Sequence, residues 1–505
     1  MTSDLRNDVV PKRLGNAALA GLPDAVERPT YDREAVSPGI VHIGLGAFCR
    51  AHAMVYTDDV LQAGATDWGI IGVCLMSPAM RDALKPQDGL YTLLSRDNDT
   101  DVLRIIGSVL DVMVTAEQKS EVFELLCRPE IRIVTLTVTE KGYCLDGATG
   151  GLDETHPAVV ADLANPTNPQ SVPGFLTEAL RLRRAAGQAP FTVLVCDNLA
   201  QNGIKVCNAV TRFASLRDEE LGQFISQNVA FPCTMVDRIT PATQDADRQK
   251  VANGLGIVDA WPVVTEPFRQ WVVEDHFPLG RPDWERAGAI MAEDVLPYEL
   301  MKLRCLNGSH STLAYLSVIA GIEAIADAMI DEDLPKVIRR LWDEDLIRTL
   351  PPVPGTDVVA YTHDLEARFR NTGVRHLTLQ ISWDGSQKLP PRLLEAAVEL
   401  YSSGREPKVI PLTVAAWMKF LSGRNELGLD YVVTDPHAAR LTSIAKDAGA
   451  DAVKLANALF DIREIFGDVL PANAHFRAEV TKHLSSLMSR GVHKTLRAFL
   501  GEAEA

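Results

Sequence analysis

The sequence predicts an α/β domain with a mostly parallel sheet, followed by a mainly α-helical domain. Up to about residue 280, short apolar runs rich in β-branched residues alternate with stretches of helical spacing. Such alternation is typical of a parallel sheet covered by helices on both faces. Beyond Pro282 strand patterns nearly vanish and helical spacing dominates. We place the boundary near the Pro- and Gly-rich stretch Phe277–Trp284, which gives domains of residues 1–290 and 291–505.

Individual elements follow from the same patterns. Buried strands are predicted at Gly39–Ile43, Gly69–Cys74, Ile131–Thr137 and Phe191–Cys196. Helical spacing is found at Val122–Leu126 and Phe175–Ala186 in the first domain. In the second domain an almost unbroken helix is predicted over Asp294–Ala328, with further helices at Leu334–Leu346, Leu393–Ser402, Leu412–Leu421, Ala452–Ile465 and Ala478–Arg490. A cleft between two such domains is the expected ligand site.

The bulk composition excludes several classes of partner. The formal net charge of -17 disfavours binding to nucleic acid and to anionic membranes. The eight cysteines are scattered without a C-x-x-C pair, which indicates small core residues in a reducing compartment. Met1–Pro11 lacks the apolar core of a signal peptide, and apolar runs such as Gly69–Met76 are too short to span a bilayer. We therefore expect a cytoplasmic protein.

A glycine-rich loop follows the first predicted strand. Gly44 and Gly46 form a G-x-G turn that lets the backbone approach a pyrophosphate, at the start of a helix. Cys49 stands where a dinucleotide fingerprint has its third glycine, so an ordinary tight turn is an equal alternative. No Asp or Glu follows the second strand to bind a ribose, and Ser77 and Arg81 would tolerate a 2′-phosphate. The loop alone leaves NAD and NADP open.

Polar residues also follow later strands of the first domain. Asp197, Asn198 and Asn202 follow the strand that ends at Cys196, and polar residues at the carboxyl end of a parallel strand contact ligands in many α/β folds. A helix-capping turn explains them equally well. The adjacent pair Asp237 and Arg238 is more often a structural ion pair. Glu140 is similarly ambiguous.

The most informative stretch is Lys302-Leu-Arg-Cys-Leu-Asn-Gly-Ser-His310. At α-helical spacing Glu299, Lys302, Asn307 and His310 share one arc of a helix whose other residues are largely apolar. A buried ammonium is costly and has a lowered pKa, which suits acid–base chemistry, and an asparagine can donate to a developing alkoxide. The alternative is a lysine that reaches solvent and a histidine satisfied in the core.

A last cluster runs from Gln380 to Arg392, with the sequence Gln-Ile-Ser-Trp-Asp-Gly-Ser-Gln-Lys-Leu-Pro-Pro-Arg. It predicts either a turn between helices or a lid that carries Lys388 toward a polar ligand.

Taken together, these blocks resemble the mannitol dehydrogenase family, the polyol-specific long-chain dehydrogenases/reductases, from about residue 38 to about residue 500. The matching blocks are Gly44–His52, Thr137–Tyr143, Cys196–Gly203, Phe231–Pro241, Asp259–Pro267 and Lys302–His310. The resemblance implies a Rossmann-type N-terminal domain, a helical C-terminal domain and an NAD or NADP cofactor. It also implies zinc-free interconversion of a secondary alcohol and a ketone at C2 of a sugar alcohol or sugar acid, by a monomer or small homo-oligomer.

The resemblance also implies roles for single residues. Lys302 is then the general acid/base, Asn198 and Asn307 hydrogen-bond the reacting oxygen, and His310 orients the substrate. The remaining implied contacts are Asp237, Lys388 and Gln380 toward the substrate, Glu299 and Glu140 in proton transfer, and Gly44, Gly46, Phe48, Arg50, Glu140 and Asn198 toward the cofactor. No metal ligand is implied.

Departures from the mannitol 2-dehydrogenase pattern narrow the range of expected substrates. Pro78 and Ala79 replace an acidic pair after the second strand, and Gln380 replaces an arginine. The run from Gln380 to Arg392 looks more like the fructuronate reductase branch, which favours D-mannonate/D-fructuronate over mannitol/fructose. A zinc alcohol dehydrogenase would need clustered Cys and His ligands that the sequence lacks. A non-catalytic nucleotide-binding sensor is a further alternative, which the intact Lys302 disfavours.

Overall fold

The computed structural model describes residues 12–98, 100–147 and 149–501, so Met1–Pro11, predicted to lack a signal peptide, lies outside the described residues. The chain divides into one compact unit up to Val295 and a second from Leu296 onward. Within the described part of the chain, no helix combines the length and the apolar character needed to cross a bilayer.

The first unit is built around a five-stranded sheet in which every neighbouring pair is parallel. Its strands are β1 (Pro38–Ile43), β2 (Gly69–Cys74), β5 (Val109–Val114), β6 (Ile133–Leu136) and β7 (Thr192–Val195). The spatial order is β5-β2-β1-β6-β7, so the chain reverses direction across the sheet between β1 and β6. In doubly wound folds that reversal point is where ligands bind.

Two separate hydrophobic cores cover the two faces of this sheet. Ile40 of β1 packs into one core, whereas its neighbour Val41 packs into the other. Ile133 and Val134 of β6 divide in the same way. Because successive side chains of a strand point to opposite faces and both faces are covered, these strands are largely apolar. The predicted α/β class with a parallel sheet is confirmed.

Among the residues that the structure describes, two small sheets and nine α-helices complete the first unit. The additional strands are β3 (Tyr91–Asp97), β4 (Thr100–Ile106), β8 (Thr234–Asp237), β9 (Val263–Thr265), β10 (Gln270–Glu274) and β11 (Ile290–Ala292), in the orders β4-β3-β9 and β11-β10-β8. The α-helices among the described residues are α1 (Ala47–Ala51), α2 (Ala53–Gln62), α3 (Ala79–Leu84), α4 (Thr115–Leu126), α5 (Pro157–Ala164), α6 (Val172–Ala185), α7 (Asn202–Arg217), α8 (Glu219–Asn228) and α9 (Asp245–Leu255). Short 3₁₀ turns lie at Asn16–Gly21, Arg33–Ala35, Lys85–Gln87, Glu140–Tyr143 and Trp284–Ala287.

The second unit is helical, as predicted, and contains no β-strand among its described residues. Its α-helices are α10 (Leu296–Met301), α11 (Ser309–Ala320), α12 (Ile325–Ala328), α13 (Leu334–Arg340), α14 (Val358–Phe369), α15 (Thr378–Ile381), α16 (Gly385–Leu389), α17 (Glu395–Ser402), α18 (Ile410–Phe420), α19 (Ala438–Ala448), α20 (Ala452–Phe460), α21 (Arg463–Phe466), α22 (Val469–Ala472), α23 (Ala474–Arg490) and α24 (Val492–Leu500). π-Helical segments are formed by Lys302–Gly308, Leu341–Leu346 and Pro390–Leu394, and a 3₁₀ turn by Ile347–Thr349.

The unbroken helix predicted over Asp294–Ala328 is wrong in two respects. Its backbone changes to a π-helix over Lys302–Gly308, between α10 and α11. The helix then ends at Gly321, whose φ of 84° is left-handed and closes α11 as a C-terminal cap. Composition did not reveal the first change, because a π-helix uses the same apolar residues as an α-helix.

Candidate active site

The glycine loop after β1 has the room that a dinucleotide needs. Gly44 has a φ of 90°, and a Cβ on it would lie 2.1 Å from the carbonyl oxygen of Thr137, so only glycine fits there. A Cβ on Gly46 would point into open space, with its nearest neighbour 3.8 Å away. An incoming pyrophosphate could therefore approach the backbone at Gly46. These residues fit a dinucleotide at the reversal point of the sheet.

The helix that follows the loop is short. The first helix, α1, has five residues and breaks at His52, where φ is -125° and ψ is -93°. Phe48 stacks on the His52 ring, with centroids 5.1 Å apart. Arg50 is buried and donates from Nε to the Gly46 carbonyl at 3.1 Å and from Nη1 to the Trp261 carbonyl at 2.5 Å. Arg50 thus fixes the loop through main-chain carbonyls, and any effect on a cofactor passes through Gly46.

A buried histidine holds the loop from the other side. The Thr137 hydroxyl donates to the Gly44 carbonyl at 2.8 Å, so the Nε2 atom of His42, 2.9 Å from that hydroxyl, must be the donor to it. Nδ1 of His42 then accepts from the Thr135 hydroxyl at 2.7 Å. Both ring nitrogens of the neutral imidazole are therefore satisfied.

Burial of His42 predicts a loss of stability in mild acid. The ring is fully buried, and burial lowers its pKa from 6.5 to about 4. Because the unfolded chain takes up the proton first, the contribution of His42 is complete above pH 6.5 and is lost as the pH falls toward 4. The loss reaches about 1.4 kcal/mol per pH unit. Urea unfolding at about pH 7.5 and about pH 5 should therefore show a weaker pH dependence in His42→Gln. The matched variant of an exposed histidine, His437→Gln, should keep the wild-type dependence; equal slopes in all three proteins would contradict the assignment.

The carboxyl end of β7 presents one structural and one exposed polar residue. Asp197 accepts from the main-chain N–H groups of Val138 at 2.9 Å and Thr139 at 3.0 Å, and from the Tyr143 hydroxyl at 2.6 Å. Burial raises the pKa of Asp197, and these hydrogen bonds oppose the shift. Asn198, the next residue, is exposed, as is Glu140 on the segment that Asp197 holds. Asp197 therefore positions this edge of the sheet, at which Asn198 and Glu140 are exposed.

Asn202 has a structural role. Its amide nitrogen donates to the carbonyls of Val195 at 3.1 Å and Thr234 at 3.0 Å, and its oxygen accepts from the N–H groups of Gly203 at 2.8 Å and Thr234 at 2.9 Å. The side chain is 1% exposed and links β7 to β8. An asparagine with this many main-chain partners stabilises the fold.

Asp237 and Arg238 end β8, and both are buried. Arg238 donates from Nη1 to the Ala51 carbonyl at 2.5 Å and from Nε and Nη2 to the Glu266 carbonyl at 3.1 and 3.0 Å. Burial lowers the pKa of this guanidinium to about 10. Arg238 thus ties the end of α1 to the main chain beside β9. The ion pair with Asp237 that the sequence favoured stays a prediction.

In the second unit, the π-helix sets the positions of Lys302 and Asn307. Hydrogen bonds in a π-helix run between residues five apart, so these two residues, at its first and sixth positions, lie about one turn apart. The shared arc deduced from α-helical spacing therefore needs correction, and the π-helix brings the two closer to one face. Both are buried, at 8% and 6% exposure. The Asn307 side-chain amide makes no hydrogen bond to any described residue.

Side chains from neighbouring segments stabilise the π-helix over Lys302–Gly308. The indole nitrogen of Trp342 donates to the Cys305 carbonyl at 2.8 Å, and Arg392 donates to the Asn307 carbonyl at 3.3 Å. Arg304 is 2% exposed and binds Glu399 through both Nη atoms, at 2.7 and 2.6 Å. Paired ionic contacts of this kind fix orientation as well as charge. Arg304 is therefore part of the scaffold of the π-helix.

His310 lies next to a second histidine that the sequence did not single out. Its ring stacks on Phe369 at a centroid distance of 4.4 Å and meets the edge of His376 at 5.0 Å. Nε2 of His310 and Nδ1 of His376 are buried without a hydrogen-bond partner. Burial lowers the pKa of His310 well below its usual range, and the charges of His376, Arg392, Arg368 and Lys302 lower it further. Buried polar atoms that lack a protein partner are expected at sites where a ligand provides the hydrogen bond.

Glu299 and the segment from Gln380 to Arg392 complete the predicted site residues. Glu299 is half-buried in α10, and Gln380 is exposed in α15. Asp384 has a φ of 57° and separates α15 from α16, and Nζ of Lys388 in α16 lies 3.8 Å from its carboxylate. Of the two alternatives, the turn between helices describes the backbone here. Whether Lys388 reaches a ligand stays a prediction.

One group of side chains among the described residues could hold a cation. Ligand atoms of Asp331, Asp333 and His493 all lie within 4.8 Å of one another. Nε of Arg497 lies 3.5 Å from the Asp333 carboxylate and already supplies positive charge there. We therefore describe this group as an ion-pair network between the start of α13 and α24.

Comparison with known proteins identifies the family. Residues 38–286 match the mannitol dehydrogenase Rossmann domain, and residues 294–488 match the mannitol dehydrogenase C-terminal domain. The chain belongs to the mannitol dehydrogenase family. It is therefore an oxidoreductase that acts on CH–OH groups, in a family that does so without zinc.

Individual family members cover nearly the whole chain. The D-mannonate oxidoreductase of Escherichia coli (strain K12) is 44% identical over 478 residues, which cover 94% of this chain and 98% of that protein. The uncharacterized oxidoreductase YeiQ of the same organism is 42% identical over 487 residues, 96% of this chain and 99% of YeiQ. The solved ternary complex of Pseudomonas fluorescens mannitol 2-dehydrogenase with NAD and D-mannitol is 39% identical, has a TM-score of 0.87, and covers 97% of this chain and 100% of that one.

Proposed function

We propose that this protein is an NAD(P)-dependent dehydrogenase that interconverts D-mannonate and D-fructuronate at C2. The observation that carries the reaction type is the buried polar face of the second unit. There Lys302 and Asn307 occupy one π-helix, and Nε2 of His310 lacks a protein partner. Such a face is costly unless a polar ligand completes it.

Each residue of this face has a proposed task. In the direction of oxidation, the deprotonated amine of Lys302 accepts the C2 hydroxyl proton, and the Asn307 amide donates to the oxygen as it gains negative charge. His310 orients the substrate through its imidazole, and Glu299 passes the proton toward water. Bound cofactor supplies the hydride acceptor.

The first unit is proposed to hold that cofactor. Gly44 and Gly46 leave space for the pyrophosphate, and Phe48 lies within the same loop. Exposed Asn198 and Glu140 lie at the same edge of the sheet and are proposed as further contacts, Asn198 also toward the reacting oxygen. Arg50 acts by fixing the loop.

The choice of a sugar acid rests on the segment from Gln380 to Arg392. An ammonium such as that of Lys388 can pair with the carboxylate of mannonate, whereas mannitol has no charge to meet it. The relative that is 44% identical is a D-mannonate oxidoreductase. Asp237 and Gln380 are proposed to contact substrate hydroxyls.

Initial rates with D-mannonate, D-mannitol, D-arabinitol and D-sorbitol, each with NAD and NADP, test this proposal. We expect the highest kcat/KM with mannonate. Lys388→Met should lower kcat/KM for mannonate by about 10- to 100-fold, mainly through KM, because a charge-assisted contact is lost. Lys419→Met, on α18, is the matched control and should leave it unchanged.

Two results would contradict parts of the proposal. A preference for mannitol that Lys388→Met leaves untouched would favour a mannitol 2-dehydrogenase, as in the P. fluorescens relative. Binding of NADH without oxidation of any substrate would favour a nucleotide-binding sensor.

A further inference from the structure

A pocket of about 500 Å³ opens beside the carboxyl ends of β2 and β5. Leu75 and Met76 line it after β2, and the first turns of α4 line it after β5. Because β2 pairs in parallel with β1, and β5 pairs in parallel with β2, their carboxyl ends lie at the sheet edge that carries the glycine loop. In dinucleotide folds, the residue after the second strand meets the adenosine ribose. This pocket is therefore where the two cofactors, which differ only by a 2′-phosphate, would be distinguished.

The carboxylate missing after β2 is replaced by one from a different element. Glu117, in the first turn of α4, lines the pocket and forms an ion pair with Arg81 of α3. Arg81 also donates to Asp82 from Nε at 2.9 Å and from Nη2 at 2.8 Å. The hydrogen bond to Glu117 is the largest contribution that raises the pKa of Arg81. The guanidinium that the sequence offered to a 2′-phosphate is thus held between two carboxylates.

The pocket lining also carries one ammonium, that of Lys119, and one further carboxylate, that of Glu121. Lys119 also lines it, but its ammonium donates to the side chain of Asn168 at 2.6 Å and to the Pro169 carbonyl at 2.9 Å. Glu121 adds a second carboxylate to the lining. A 2′-phosphate would have to displace Glu117 from Arg81 and approach a second negative charge. Like charges placed together at a binding site disfavour the partner that carries them.

We infer that Glu117 selects NAD over NADP in this enzyme by holding Arg81 and by repelling a 2′-phosphate. This inference rests on the proposed NAD(P)-dependent function and adds a specificity residue to it. In other dinucleotide folds an acidic residue after the second strand favours NAD, and we infer that Glu117 does so here.

The test compares binding of NADH and NADPH to the full chain by fluorescence titration, without substrate. We expect the wild type to bind NADH at least about 100-fold more tightly than NADPH, and Glu117→Gln to reduce that ratio by about tenfold or more. The affinity ratio should fall because NADPH binds more tightly, since Arg81 becomes available to the 2′-phosphate. The double variant Glu117→Gln/Arg81→Met should lose that gain in NADPH affinity. Glu121→Gln, one turn further along α4, is the matched control and should change the ratio far less.

Steady-state kcat/KM for NAD and NADP with the best substrate should shift in parallel with binding. An unchanged binding ratio in Glu117→Gln, or a wild type that binds NADPH more tightly, would overturn the inference while leaving the dehydrogenase function intact. If neither reduced cofactor binds the wild type, the proposed function itself fails.

Discussion

Lys302→Ala is expected to lower kcat by about 10²- to 10⁴-fold, the usual contribution of a positioned acid–base group. The side chain is buried in a π-helix, beside Asn307 and close enough to His310 for its charge to act on the imidazole. Without its amine, nothing in the second unit's polar face would accept the C2 proton in the same position. The fluorescence titration with NADH should be nearly unchanged, because the residues proposed to bind the cofactor lie in the first unit. A turnover number close to that of the wild type would contradict the assignment.

Two further measurements separate a chemical role of Lys302 from a structural one. Small primary amines added to Lys302→Ala should restore part of kcat, since they can occupy the vacated space and accept a proton. Arg304→Met is the matched control from the same π-helix. It should lower the free energy of unfolding by roughly 1–3 kcal/mol, because the buried guanidinium loses its charge-assisted hydrogen bonds to the half-exposed Glu399, yet retain turnover in the folded enzyme. Loss of turnover in both variants, without rescue, would point to a collapsed π-helix.

Much of the first unit could be predicted from local sequence. The strand predicted at Gly69–Cys74 has those bounds in the structure, and the strands predicted at Ile131–Thr137 and Phe191–Cys196 are present in shorter form as β6 and β7. These strands are buried on both faces, so a continuous apolar run suffices to recognise them. β5 was missed, because Asp111 interrupts its apolar run. The hairpin of β3 and β4 was also missed, and the pairing of β3 with β9, which is far away in sequence, leaves no local pattern.

Some residues of the candidate site could be predicted from the sequence, and others could not. The sequence identified Lys302, Asn307 and His310, which the structure places in one buried region. It did not reveal His376, because this residue comes from a separate segment and meets His310 only in the fold. Nor did it distinguish a ligand contact from a main-chain contact. Arg50 has the residue type of a phosphate ligand, but its hydrogen bonds go to carbonyls.

The pocket beside the carboxyl ends of β2 and β5 also could not be predicted from local sequence. After β2 the sequence offered only Arg81 as a charged residue near the ribose position, which suggested tolerance of a 2′-phosphate. The structure adds Glu117 from another helix and reverses the local charge. Whether Arg81 can bind a 2′-phosphate therefore depends on Glu117, which lies 36 residues later in the chain and is brought next to it by the fold.

Asn307→Ala is expected to lower kcat by about 10²- to 10³-fold, as removal of a single donor to a developing oxyanion does in other enzymes. The residue is 6% exposed and its side-chain amide makes no hydrogen bond to any described residue, although its main-chain carbonyl accepts from Arg392. Because the amide has no protein partner to give up, it can donate to the substrate oxygen without breaking another hydrogen bond within the protein. Because oxygen carries most charge near the transition state, KM should change much less than kcat.

The substitution Asn307→Asp sharpens this expectation. It keeps the shape of the side chain but replaces the donor with a carboxylate that repels an alkoxide, so its kcat should fall below that of Asn307→Ala. Asn371→Ala is the matched control: this asparagine is equally buried, but its side chain accepts from the Gly373 N–H at 2.9 Å within a turn. That variant should lower the unfolding temperature and retain kcat. If Asn307→Ala behaved like it, losing stability but not turnover, the amide would belong to the scaffold, and the alkoxide would need a different donor.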